Sequence, residues 1–199
     1  TLEQATYHLK TSLGVSDQYY RHCTAYPIYG TGQGSGNSPQ IWCFIASVLF
    51  DAFKDRAHGA TFYSYDGRQS VTLYMVGFVD DCSQRINEFR AHPQPTAARL
   101  VELMTKDAQL WSDLLWASGG ALEVPKCSFQ VIQSTWTRRG QPFLQGNCNA
   151  PPLTIQTPTG TLSVRQTSCY QSRRSLGIHF SASGTMKKQF EICLLYTSR

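Results

Sequence analysis

Two adjacent carboxylates, Asp80 and Asp81, stand at the end of an apolar run, Tyr74-Met75-Val76-Gly77-Phe78-Val79, and the chain leaves them through Cys82-Ser83-Gln84-Arg85-Ile86. Residues 71–79 include Val, Thr, Leu, Tyr and Phe, the types favoured in strands, so the pattern predicts a strand that rises to an Asp-Asp hairpin tip. Like charges held that close repel, and removing them from water is unfavourable unless something compensates. A divalent cation is the common compensation. Mg²⁺ takes carboxylate oxygens together with substrate phosphates, and a two-metal site clamps an in-line phosphoryl displacement. A solvated Asp-Asp turn is the other reading of the same residues, because such dipeptides are common in loops.

About forty residues upstream lies Gly30-Thr31-Gly32-Gln33-Gly34-Ser35-Gly36-Asn37-Ser38-Pro39, with four glycines in seven residues. Such a loop lets backbone approach a ligand closely. Ser38 suits a helix N-cap and Pro39 the first helical position. The stretch Gln40–Phe50 is apolar nearly all round, which predicts a buried helix whose N-terminus offers free N–H groups and a positive dipole end. The loop lacks the Lys-Ser/Thr of a nucleotide-binding P-loop and the dinucleotide-binding spacing after a strand.

Taken in this order, Gln33-Gly34-Ser35-Gly36-Asn37-Ser38-Pro39 and Phe78-Val79-Asp80-Asp81 resemble a reverse transcriptase palm. In that family a loop of the form Gln-Gly-Ser-x-x-Ser-Pro opens a helix and an aromatic-x-Asp-Asp hairpin follows. The resemblance is to retroelement enzymes of the non-LTR type and covers most of the chain. It implies an α+β polymerase palm, an antiparallel sheet with the catalytic Asp-Asp hairpin packed on helices, plus the start of a thumb. It further implies that Asp80 and Asp81 hold Mg²⁺ (or Mn²⁺), and that Gln33, Gly34 and Ser35 lie against the incoming nucleotide and templating base. Phe78 falls at the substrate side where viral relatives usually carry Tyr, a change that implies tuning rather than loss of function.

Two downstream segments extend the resemblance. Gly119-Gly120 followed by Leu122-Glu123-Val124-Pro125-Lys126 and a strand resembles the next family motif, whose lysine is thought to protonate the leaving pyrophosphate. That implies a catalytic role for Lys126, since a positioned lysine can act as a general acid. Apart from the resemblance, Lys126 reads as an ordinary exposed lysine. Leu176-Gly177-Ile178, followed by a turn through Ser183-Gly184-Thr185-Met186-Lys187-Lys188, resembles the hairpin that grips the primer end, with residues 189–195 beginning the thumb helix. One departure stands out: the strand that bears the family's first catalytic Asp has no counterpart here. Glu3 and Asp17 lie in a segment read as helical and do not match it.

The elements that would position these groups read as follows. Ala5, His8, Leu9 and Leu13 fall on one side at helical spacing, predicting a helix over 2–21 interrupted by Gly14. Residues 20–29 read as extended. Asp66-Gly67 signals a turn before the carboxylate hairpin. Pro93 and Pro95 break the chain, and Thr96 can cap a helix over 97–117 that carries Leu100, Val101, Met104, Ala108, Trp111, Leu114 and Leu115 as a core stripe. Gly119-Gly120 stops it, and a strand is expected through 128–136. Thr137-Arg138-Arg139-Gly140 reads as a hairpin turn, and short strands at 153–156 and 162–166 flank Pro158-Thr159-Gly160. The expected divisions are 1–136 as partial palm, 137–175 as a β-rich insertion or connector, and 176–199 as the grip-like hairpin and thumb start.

The 199 residues are 41% hydrophobic and 16% charged, a balance that supports a buried core and excludes a disordered chain. No apolar run reaches membrane-span length, so no membrane partner is expected. Thr1-Leu2-Glu3-Gln4 is no signal peptide, and the missing initiator Met reads as an excerpt of a longer chain that supplies fingers, first Asp motif and thumb. The seven cysteines are odd in number and show no Cys-x-x-Cys, which favours reduced thiols and an intracellular setting. Net charge is +5, but residues 1–123 carry −3 and residues 124–199 carry +8. A basic half suits a polyanion: an RNA template, a DNA primer or their hybrid, beside dNTP. Arg138-Arg139, Arg173-Arg174 and Lys187-Lys188, with Leu176 and Gly177, are the expected nucleic-acid contacts. The alternative functions are an RNA-dependent RNA polymerase palm, whose Asp pair usually follows Gly where Val79 stands here, and a non-catalytic nucleic-acid-binding remnant.

Overall fold

The computed structural model describes residues 6–9, 18–21, 36, 38–78, 81–88, 95–146, 148–175 and 178–197. The chain divides into two compact units, Thr1–Ile41 and Trp42–Arg199. The described part is mixed α+β, with three α-helices and small sheets that are antiparallel apart from one parallel pairing.

In the first unit, β1 (Thr6–Leu9) pairs antiparallel with β2 (Gln18–Arg21), Thr6 opposite Arg21. The helix expected over 2–21 is therefore replaced by two short strands. Their sequences, Thr-Tyr-His-Leu and Gln-Tyr-Tyr-Arg, are rich in strand-favouring aromatics, and Gly14 falls between them. Three apolar residues and a histidine at helical spacing were too weak a signal to outweigh that preference.

Helix α1 (Ser38–Lys54) leads into the second unit, and its burial is one-sided. Leu49 and Phe53 are buried, whereas Ile41, Phe44 and Val48 are exposed, so the all-round burial expected of this helix is not found. Strands β3 (Ala60–Tyr63) and β4 (Ser70–Leu73) form a hairpin. Its turn is the expected Asp66-Gly67: Gly67 takes φ 69°, and the Ser64 hydroxyl donates to the Asp66 carboxylate at 2.6 Å. The single strand expected over 71–79 breaks at Tyr74, where β4 ends and β5 (Met75–Phe78) begins. The two pair with different partners, β4 with β3 and β5 with β6 (Asp81–Gln84).

Helix α2 (Ala97–Ala117) matches the expected span, and the Thr96 hydroxyl accepts from the Arg99 backbone N–H at its start. Gly119, at φ 85°, ends it in the left-handed conformation, and the Gly120 N–H donates to the Leu115 carbonyl at 2.8 Å. The helix serves two cores. Val101 and Ala97 pack with Val124, Val131, Cys148, Leu153, Ile155 and Val164. Trp111 packs with Leu49 and Phe53 of α1, flanked by Phe50, Tyr74, Met75, Cys82 and Leu115. Leu122 packs against both clusters.

A 3₁₀ turn at Val124–Lys126 leads to β7 (Ser128–Phe129). The strand expected through 128–136 is two pieces: β7 runs parallel to β11 (Gly160–Gln166), and β8 (Ser134–Trp136) pairs with β9 (Pro142–Leu144). The break falls where Val131 enters the core. Strands β10 (Leu153–Thr157) and β11 form the hairpin expected around Pro158-Thr159-Gly160, and β10 lies against α2. The Gln109 side chain donates to the Gln156 carbonyl at 3.1 Å and accepts from its N–H at 2.7 Å, sealing an edge of β10. Last come β12 (Arg173–Ser175), β13 (Ile178–Phe180) and helix α3 (Lys187–Thr197).

Candidate active site

The carboxylate hairpin is present. Strands β5 and β6 pair antiparallel with Phe78 opposite Asp81, Gly77 opposite Cys82 and Met75 opposite Gln84. Val79 and Asp80 join the strands and lie outside the described residues, as do Gln33, Gly34, Ser35, Leu176 and Gly177. Asp81 is solvent-exposed at the start of the return strand, and Phe78 across from it is 56% exposed.

What seats this hairpin is a glycine. A Cβ built on Gly77 would come within 2.5 Å of Phe50 Cζ, so the α1 aromatic ring occupies the space a side chain would need. Phe50 in turn stacks on Trp111 at 5.6 Å between centroids, and Phe53 meets the same indole edge-on at 5.7 Å. The chain of contact runs Gly77, Phe50, Trp111: the strand that leads up to the carboxylates rests on α1, and that helix on α2. The sequence singles out Gly77 only as a residue in an apolar run; its close approach to Phe50 depends on contact across 27 positions.

A second carboxylate feature has no counterpart in the sequence reading. Asp107, on the buried side of α2, is 3% exposed. It accepts from the His58 backbone N–H at 3.0 Å, and its Oδ1 lies 2.6 Å from His58 Nδ1. His58 follows α1 and is 41% exposed, so the pair ties the end of that helix to α2. A buried carboxylate without such partners would be strongly unfavourable.

Lys126 ends the 3₁₀ turn with its side chain exposed, after Leu122 has bridged the two cores. Neighbouring Cys127 is half-buried; burial pushes its thiol up, an effect opposed by the Arg173 guanidinium. Near the expected grip segment, β12 and β13 pair as a hairpin joined at residues 176–177, with Arg174 opposite His179 and Ser175 opposite Ile178, rather than turning at 183–188. The six basic candidates differ in availability. Arg173 Nη1 donates to the Ser128 carbonyl at 3.3 Å, and Lys188 pairs with Glu191 at 3.4 Å. Among the described residues, Arg138 and Arg139 have no side-chain partner and project from the β8–β9 turn.

Asp81 supplies a hard, exposed oxygen donor, the type Mg²⁺ prefers. Among the described residues no group of three His, Cys, Asp or Glu side chains could hold a metal ion. The donor chemistry fits such an ion, then, while the described ligand set amounts to one carboxylate. A separate cavity of about 240 Å³, lined by Val131, Gly146, Cys148, Gln166, Thr167 and Ser168, contains none of the predicted site residues. No described helix is long and apolar enough to cross a membrane. Family models, curated proteins and solved structures offer no match to this chain.

Proposed function

We propose that the chain is the partial palm of an RNA-directed DNA polymerase of a retroelement, which transfers a nucleotidyl group from dNTP to a primer 3′-hydroxyl. The observation that carries this reading is the β5–β6 hairpin, which sets Asp81 opposite Phe78 with Asp80 immediately before it. The order of elements supports it: a helix behind a glycine loop, the carboxylate hairpin, a helix ended by glycine, Lys126 before a strand, then a basic hairpin and a helix.

In this reading Asp80 and Asp81 hold Mg²⁺ or Mn²⁺, together with a third carboxylate from outside this chain. When bound, the ions neutralise charge that develops on the transferring phosphoryl group. The contribution of the protein is positioning and electrostatics. Gln33, Gly34, Ser35 and Phe78 line the nucleotide side, and Lys126 donates a proton to the departing pyrophosphate. Arg173, Arg174, Lys187 and Lys188 contact backbone phosphates without reading sequence. Val79 in place of Gly before the carboxylates favours this reading over an RNA-dependent RNA polymerase.

The test is primer extension with Mg²⁺ and dNTP. The 199-residue chain alone is expected to be inactive, and the parent enzyme active. In the parent, Asp80→Asn is expected to abolish extension while the protein stays folded, and Lys126→Leu to slow single-turnover chemistry by about 10²–10⁴-fold with nearly unchanged nucleotide affinity. An active Asp80→Asn parent overturns the metal assignment, and extension by the chain alone overturns the ligand set.

A further inference from the structure

The β8–β9 hairpin joins three properties that neither core nor the carboxylate hairpin uses. Its tip carries two arginines without side-chain partners among the described residues, it presents an indole that is 68% exposed, and its backbone is tightly fixed. The fixing is visible in the turn. The Thr137 N–H donates to the Gln141 carbonyl at 2.8 Å, the Gly140 N–H donates to the Thr137 carbonyl at 2.9 Å, and Gly140 adopts φ 75°. The Gln141 N–H also donates to the Thr137 hydroxyl at 3.1 Å. At the other end, the Gln145 N–H donates to the Gln133 carbonyl at 2.8 Å, and the Tyr170 hydroxyl donates to the Leu144 carbonyl at 2.7 Å.

These bonds define the ladder. Residues 133 and 145 form a hydrogen-bonded pair and so do 137 and 141, so Trp136 and Pro142 lie opposite each other as a non-hydrogen-bonded pair. Side chains in such pairs stand close together. Pro142 has no N–H to offer an incoming strand, and the Leu144 carbonyl is already taken by Tyr170. The edge of β9 is thus blunted against strand addition, which leaves the indole and the guanidinium groups as the exposed recognition groups at the tip.

We infer that this hairpin is a binding site for single-stranded nucleic acid, in which an unpaired base stacks on Trp136 and its phosphates meet Arg138 and Arg139. Charge complementarity favours a polyanion, because the sequence from residue 124 onward carries +8. The indole then selects among polyanions: in a duplex the base faces are covered by their neighbours, whereas an unpaired base offers a free face. Trp136 and Arg138 are two residues apart, so their Cα atoms lie no more than about 7 Å from each other and one nucleotide can reach both. This sets the Arg138–Arg139 pair apart from Arg173 and Lys188, which already have protein partners.

The inference rests on the polymerase reading for its setting, as a holder of unpaired template beside the palm. Its test is independent of catalysis. Fluorescence anisotropy would measure binding of a labelled 20-nucleotide oligothymidylate, a 20-base-pair duplex and a polyglutamate peptide to the whole chain, from low to moderate salt, without Mg²⁺ or dNTP. Trp136→Ala should weaken single-strand binding by about tenfold with an unchanged salt slope, and change duplex binding by less than about twofold. Trp136→Phe, which keeps an aromatic face, should retain most of the affinity. Replacing Arg138 and Arg139 together by Ala should flatten the slope of log affinity against log salt by about 1.4. Equal loss on duplex and single strand, an indifferent Trp136→Ala, or loss of binding by a folded Trp136→Phe would each overturn the stacking site. Polyglutamate binding as tight as oligothymidylate would point to an acidic protein partner instead and overturn it too. Single-strand binding by this chain with an inactive parent enzyme sinks the polymerase reading alone, while an active parent with an indifferent Trp136 sinks the hairpin alone.

Discussion

The two cores that share α2 are built differently. Around Val101, Leu153, Ile155 and Val164, eight buried residues close the space between the helix and the β10–β11 hairpin, and Gln109 seals an edge of β10. Among the described residues, only Leu49 and Phe53 are buried with Trp111, and apolar side chains remain exposed at Phe44, Val48, Val76 and Phe78. The first region is a closed packing problem. The second is a platform: one indole, two phenyl rings and a glycine contact hold the carboxylate hairpin from one side. Closed packing supplies stability, and the open side leaves Asp81 and Phe78 exposed.

Truncating each core at its centre sharpens that contrast most. Ile155→Ala and Trp111→Ala should each lower unfolding free energy, by about 2–5 and 3–5 kcal/mol respectively. If the regions are distinct, hydrogen exchange should show Trp111→Ala loosening β5–β6 while β10–β11 keeps its protection. Equal loosening of both hairpins by either change would merge the two regions into one.

Gly77→Ala probes the seat of the hairpin directly. The added methyl would meet Phe50 at 2.5 Å, and that ring is held against Trp111. A loss of about 1–3 kcal/mol is expected, read by urea unfolding, with chemical-shift changes centred on β5, β6 and Phe50. Phe50→Ala in the same chain should relieve part of the loss, and strict additivity of the two changes would break the proposed contact.

Asp107→Asn is expected to be milder, about 1–2 kcal/mol, because the amide keeps one acceptor for the His58 N–H and sheds the burial penalty of a charge. The effect should be matched by His58→Ala and not add to it in the double variant. Full additivity would mean that the hydrogen-bonded pair does not couple α1 to α2.

The smallest effect separates the regions by thiol chemistry. Burial pushes the Cys148 thiol above its ordinary value of 9.0, with neighbouring Cys169 acting in the same direction, while Cys43 and Cys193 are exposed. Alkylation followed by mass spectrometry near pH 8 should label Cys43 and Cys193 first and Cys148 and Cys169 last. Because a raised thiol keeps its proton in the folded state, stability should be retained below pH 9 and fall as unfolded-state thiols ionise above it. Early labelling of Cys148 would show the closed core to be open.

Much of the local structure could be read from residues alone. The α2 boundaries follow from Thr96 and Gly119, the β3–β4 turn from Asp66-Gly67, the β8–β9 turn from the residues around Gly140, and the carboxylate hairpin from a strand-like run ending in two acids. Each rests on capping, backbone conformational preference or short-range alternation, which act within a few residues. The same reasoning misread residues 2–21, where weak helical spacing met strand-favouring aromatics, and it overstated the burial of α1. Burial depends on what lies across the fold, and an apolar helix does not specify which of its sides will find a partner. The pairing of Asp107 with His58 spans 49 positions, and the fit of Phe50 over Gly77 spans 27. Gln109 reaches Gln156 across 47. No local rule encodes such distances. The sequence determined which residues could turn, cap or carry charge; packing in three dimensions decided which of them touch, because burial and hydrogen-bond satisfaction are settled only when distant segments meet.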